Sequence, residues 1–128
     1  MTQIEPSKII YKELSYKLYG IFYAVHNDLG RYRSEKTYAD YLEKLLIERN
    51  VKYSREIAIP PSFVNEKNRR NIPDFIIEDK IILDIKAKNI ITKEDYFQIK
   101  RYLDSSGIKL GLLVNFRAPY IYPKRVAN

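Results

Sequence analysis

A chain of 128 residues, 45% hydrophobic and 30% charged, is long enough to bury one core and too short for two, and neither figure fits a disordered tail or a membrane protein. With no cysteine, disulfides and thiolate zinc sites are excluded, so any metal must sit on oxygen or on the only histidine, His26. Lys plus Arg number 23 against 16 Asp plus Glu, and the resulting +7 makes nucleic acid the first partner to consider, through release of counterions from phosphate.

The opening "MTQIEPSKII" has no signal-peptide apolar core, and no run nears the roughly 18 apolar residues of a membrane span, so cytoplasm is the expected location. Residues 8–28 are predicted to form a helix. Ser7 can cap it, Ile10, Leu14, Leu18, Ile21, Val25 and Leu29 recur at three- and four-residue spacing, and Gly30 is a natural stop. After "GRYR", Ser34 is a second N-cap, and Tyr38, Tyr41, Leu42, Leu45 and Leu46 form the stripe of a helix ending near Asn50. Glu35 falls in its first turn, where the helix macrodipole favours an acid in any case.

From Val51 the period changes. "VKYSREIAI" reads as a strand, Pro60-Pro61 as a bend and "SFV" as a second short strand, followed by the polar, basic loop "NEKNRRN". Two apolar runs, Asp74 to Ile77 and Ile81 to Ala87, are joined by "EDK" and predict a hairpin. Thr92 with Asp95 resembles a capping box opening a helix to about Ser105 and Gly107. "IKLGLLVNF" is a buried-type strand, and residues 117–128 form a tail without an assigned element. The expected order is ααββββαβ, an α+β or α/β domain with a mixed sheet flanked by helices, its core at about 8–116.

Side chains alternate across a strand, so Ile81, Leu83, Ile85 and Ala87 share one face of the hairpin and Ile82, Asp84, Lys86 and Lys88 the other. With "EDK" as a three-residue turn, Ile77 pairs with Ile81, Phe75 with Leu83, and Asp74 falls opposite Asp84. A two-residue turn would put Asp74 on the apolar face, so the pattern selects the register that joins the carboxylates. Facing residues have Cβ atoms about 4.5–5.5 Å apart, where like charges repel. A divalent cation resolves this, because Mg²⁺ is typically held by one or two carboxylates while keeping waters for substrate phosphate. Lys86 points at the same spot, where its ammonium either helps activate a water and offsets charge on phosphate, or merely bridges Asp74 and Asp84 on a solvated face.

Asp74 after Pro73, then Asp84-Ile85-Lys86 across a hairpin, resembles the PD-(D/E)xK nuclease superfamily and its restriction-endonuclease-like fold. "VHNDLGRYRSEKTY" is similar to the GxxExxY family of that superfamily through Glu35 and Tyr38, with Tyr32 where the family has glycine. The segment Gln98 to Tyr102 is similar to the Gln-x-x-x-Tyr motif of the RecB-like branch. Together these matches run from about Ile21 to Phe116. The resemblance implies that Asp74 and Asp84 bind Mg²⁺ or Mn²⁺, with the Ile85 backbone carbonyl a further ligand and Lys86 the catalytic lysine. Glu35 would complete the site directly or through water, and Gln98 would hydrogen-bond within it. Tyr102 would contact nucleic acid or brace its helix, and His26 would either join the metal shell or cap its own helix end.

The function implied is metal-dependent hydrolysis of phosphodiester bonds of nucleic acid, DNA ahead of RNA. The clusters Lys67/Arg69/Arg70 and Lys100/Arg101 would track the backbone, since phosphate contacts position and base contacts specify. Two other readings compete: a nucleic-acid- or partner-binding protein on the same fold without turnover, and a small Holliday-junction resolvase acting as a homodimer.

Overall fold

The computed structural model describes residues 10–60, 63 and 71–128. The first apolar stripe forms α1 (Lys12–Leu29), burying Leu18, Ile21, Phe22 and Val25. Its end is the predicted one. Gly30 takes φ 75° and donates its N–H to the His26 carbonyl, a conformation that strains any residue with a Cβ. At the other end the expected cap Ser7 and residues 8–9 lie outside the described residues, and the regular helix begins only after Tyr11, which has φ 53°. Helix α2 (Glu35–Glu48) starts where the sequence places it, with the Ser34 hydroxyl accepting from the Thr37 N–H at 3.1 Å.

Of "VKYSREIAI" only β1 (Tyr53–Arg55) is ladder, because Glu56 turns the chain with φ 53°. Pairing with the incoming segment continues singly, through Glu56 N–H to the Asp74 carbonyl and Ile59 N–H to the Asn71 carbonyl. Ser62 and Val64 of the expected strand "SFV", and the basic loop with Lys67, Arg69 and Arg70, lie outside the described residues. The hairpin of β2 (Phe75–Ile77) and β3 (Ile81–Lys86) has the register that alternation selected, Ile77 opposite Ile81 and Phe75 opposite Leu83. Glu78 and Asp79 supply the positive φ values of its turn, 50° and 57°.

Helix α3 (Lys93–Ser106) opens with the Thr92 N–H bonded to the Asp95 carboxylate at 2.7 Å and closes at Gly107, φ 76°. It carries the chain across to β4 (Leu110–Asn115), parallel to β3, and the tail contributes β5 (Lys124–Ala127), antiparallel to β4. The sheet is ordered β1-β2-β3-β4-β5, and the described residues read ααβββαββ, an α+β arrangement consistent with the restriction-endonuclease-like fold.

Helices α1 and α2 cover one sheet face over Phe75, Leu83, Ile85, Leu112 and Val114. On the other, Ile99, Tyr102 and Leu103 of α3 close over Ile82, Leu113 and Val126. Both faces of β3 are therefore buried, as expected of a strand with a parallel neighbour, and the Asp84 face is not the solvated one that a bland reading would need. The contact between α3 and β4 is close at Gly111, where a Cβ would lie 2.5 Å from Ile99 Cγ2. Gly111→Ala should lower stability by about 1–3 kcal/mol through overpacking, read as a shift in the urea midpoint at constant slope. An unmoved midpoint would mean that α3 can lift without cost.

Candidate active site

Asp84 is carried on the buried strand β3 and is only 3% exposed, between the apolar Leu83 and Ile85. Asp74 sits one residue before β2 and turns its carboxylate back over the end of the ladder, where Oδ2 accepts the Ile85 N–H at 2.6 Å. A residue's N–H and C=O leave a strand on the same side, so the Ile85 carbonyl also projects beyond the end of β2, beside Asp74. Two carboxylates and one carbonyl thus converge where the hairpin stops pairing.

Lys86 is the cation of this cluster. Its Nζ lies 3.2 Å from Asp84 Oδ2, donates to Gln98 Oε1 at 3.1 Å and is 4.0 Å from Asp95 Oδ1. Burial works to lower the ammonium's pKa, but the charges of Asp84, Glu35 and Asp74 outweigh it and leave the pKa raised. The lysine is thereby held protonated. Despite that ion pair, Asp84 Oδ2 is buried and receives no hydrogen bond in alignment. Such an atom costs roughly 1–3 kcal/mol or more unless something occupies its lone pairs. Asp74 shows the same frustration: burial first, then hydrogen-bonding contact with Asp84 and its charge, push its carboxyl up to about 8.

Glu35, at the start of α2, lines a cleft of about 300 Å³ together with Asp74, Ile85, Ala39 and Arg55. Tyr38 secures this position by donating its hydroxyl to the Gly30 carbonyl at 2.6 Å and stacking on Phe116, so Tyr32 in place of glycine does not displace the helix start. Gln98 is inside the site through Lys86. Tyr102 is buried and donates to the Ile72 carbonyl at 3.2 Å, which ties α3 to the segment before β2. Burial, then the charges of Asp84 and Asp74, raise its pKa to about 12 and keep the hydroxyl a donor.

The structure does not bring His26 to the carboxylates. Its Nε2 bonds the Ala118 carbonyl at 2.9 Å and its ring stacks on Phe116, so it ties α1 to the segment after β4 rather than capping its own helix end. Lys100 and Arg101 are exposed on α3, with Lys100 Nζ on the Ala127 carbonyl. Sequence reasoning missed Lys88, whose Nζ reaches Asp95 at 2.6 Å, and the Arg55 guanidinium held by Asp40 and Glu43 at the cleft wall. Asp95 had one signal, its capping-box spacing; Arg55 had none.

A family model described as the PD-(D/E)XK nuclease superfamily matches residues 12–126, nearly the whole chain. This chain belongs to the PD-(D/E)XK nuclease superfamily. The crystal structure of SSO0001 is similar to it over 95% of this chain, with a TM-score of 0.58 and 20% sequence identity, a likeness of fold. The chain spans 59% of that protein's length. No curated protein matches it.

The superfamily typically uses divalent metals. Among the described residues, no group of three or more His, Asp or Glu side chains gathers around one position. The donors present nonetheless fit a hard cation: oxygen atoms only, one of them buried without a hydrogen bond, and a mutually repulsive carboxylate pair that Lys86 touches from the Asp84 side. Among the described residues no helix is long and apolar enough to cross a membrane.

Proposed function

We propose that this chain is a Mg²⁺- or Mn²⁺-dependent nuclease that hydrolyses phosphodiester bonds of nucleic acid, DNA in the first instance, by in-line attack of water. The single observation that carries the reading is the buried Asp84 Oδ2, without a hydrogen bond and faced by the Asp74 carboxyl. Natural proteins seldom retain such a pair without a use for it. Asp74, Asp84 and the Ile85 carbonyl would hold the cation, with Glu35 reaching it directly or through water from across the cleft. When bound, the cation supplies Lewis-acid polarisation of the phosphoryl oxygens and an acidified water at neutral pH.

The chain's own groups would do the rest. Lys86, fixed between Asp84, Gln98 and Asp95, offers a positioned positive charge to the phosphate as it gains negative charge. Gln98 takes one of the ammonium's three donors and so directs the others. Tyr102 holds α3, and with it Gln98, against the segment before β2. Exposed Lys100 and Arg101 would meet the backbone, with Lys67, Arg69 and Arg70 as further candidates. The test is cleavage of a panel of linear duplex, single strands, four-way junctions and RNA, with Mg²⁺, with Mn²⁺ and with EDTA, beside Asp84→Ala. Metal-dependent cleavage lost in EDTA and in Asp84→Ala is the expected result; cleavage undiminished in EDTA would end the mechanism.

A further inference from the structure

The connection between α1 and α2 carries Tyr32, which is 75% exposed although it is a large aromatic residue. Two guanidiniums stand by its ring, Arg31 at 5.1 Å and Arg117 at 5.6 Å from the centroid. Both are anchored through Nε: Arg31 donates to the Arg117 carbonyl at 2.9 Å and Arg117 to the Arg31 carbonyl at 2.6 Å. This reciprocal pair locks the α1–α2 loop to the β4–β5 connection. Among the described residues no carboxylate pairs with Arg31 or Arg117, so their charges stand unneutralised. The β4–β5 connection adds Tyr120 and Tyr122, 88% and 74% exposed, the latter with Lys124 at 4.4 Å from its ring.

Packing does not explain these rings, which bury little, whereas exposed aromatics interleaved with fixed cations are what a flexible strand of nucleic acid meets on its binding proteins. Position supports this. Tyr32 lies three residues before Glu35, so their Cα atoms are at most about 10 Å apart, and Glu35 lines the cleft with Asp74. We infer that Tyr32, flanked by Arg31 and Arg117, stacks an unpaired base of the strand being cut, next to the cleavage point. The inference rests on the nuclease reading and deepens it. The substrate class is nucleic acid with single-stranded character beside the scissile phosphate. The cations hold the adjoining phosphates, and the ring, indifferent to sequence, takes any base.

The test is binding without chemistry. A fluorescently labelled single-stranded oligonucleotide and the matching duplex are titrated in EDTA with the wild type, Tyr32→Ala and Tyr32→Phe, the fold of each being checked by circular dichroism. The expected result is a loss of about ten-fold in single-strand affinity for Tyr32→Ala, near wild-type affinity for Tyr32→Phe and equal duplex affinity for all three. Unchanged single-strand binding by Tyr32→Ala, or an equal loss on both forms, overturns the inference while leaving the nuclease reading standing. Failure of the wild type to bind either form overturns both. A changed sedimentation coefficient in Tyr32→Ala with unaltered oligonucleotide affinity overturns it in favour of a contact between copies of the chain.

Discussion

Lys86→Ala is expected to lower the cleavage rate by at least about a hundred-fold, the effect of removing a positioned charge from a transition state that accumulates opposite charge. Among the described residues, the neighbouring cations are not placed to replace the ammonium. Lys88 is drawn away by Asp95 at 2.6 Å and Arg55 is neutralised by Asp40 and Glu43, so the described cations closest to the site are already engaged. Removing Lys86 also takes away the positive charge that, among the described residues, is paired with Asp84. The variant should therefore bind Mn²⁺ at least as tightly as the wild type by calorimetry, whereas Asp84→Ala should lose both binding and cleavage. That divergence separates the two roles, and a Lys86 variant that cuts within a few-fold of wild type would exclude the lysine from the chemistry.

The second large effect concerns pH in the metal-free protein. Asp74 has its folded pKa raised from 3.8 to about 8, by burial first and then by Asp84. A carboxyl raised in the folded state favours folding fully below 3.8, and that contribution is lost as pH rises through about 8, because the folded protein must then ionise a group that the unfolded chain ionised earlier. At roughly 1.4 kcal/mol per unit the loss amounts to a few kcal/mol. Asp95 has the opposite sign. Burial works against it, but Lys88 and Thr92 lower its pKa, so its contribution is present above 3.8 and lost only as pH falls below that. Between pH 4 and 8 Asp74 therefore sets the slope.

Thermal melts in EDTA should fall in midpoint from pH 5 to pH 8.5, and Mn²⁺ should restore the loss most strongly at the alkaline end, where no proton has to be displaced. Asp84→Asn should flatten the slope and stabilise the metal-free protein at pH 8.5 while eliminating cleavage, since it removes the repulsion together with the ligand. A chelated wild type equally stable at both pH values would contradict the coupled carboxylate pair.

The local devices were legible because each is written within a few residues. Ser34 and Gly107 mark helix ends, Thr92 and Asp95 a capping box, and the alternation around "EDK" selected one register out of two. That register alone joined Asp74 to Asp84. The motif order from Glu35 through Asp74 and Asp84 to Lys86 and Gln98 then placed the chain in its superfamily. Other features had no local signature. β5 is four residues long and exists because β4 offers it an edge, and the covering of Ile82 and Asp84 depends on α3 folding back over β3.

His26 and Tyr102 show the same division. Their spacing identified them as motif positions, but hydrogen bonds to the carbonyls of Ala118 and Ile72, 92 and 30 residues away, settled what they hold. The reciprocal Arg31–Arg117 lock spans 86 residues and is equally silent in the sequence. What the sequence determined by itself was the period of each element and the hairpin register that sets Asp74 against Asp84, with Lys86 on the same face as Asp84. Only the tertiary structure decided that this face would be dry and which polar atom on it would be left without a hydrogen bond. Alternation and capping are properties of neighbouring residues, whereas desolvation depends on what distant segments bring over them.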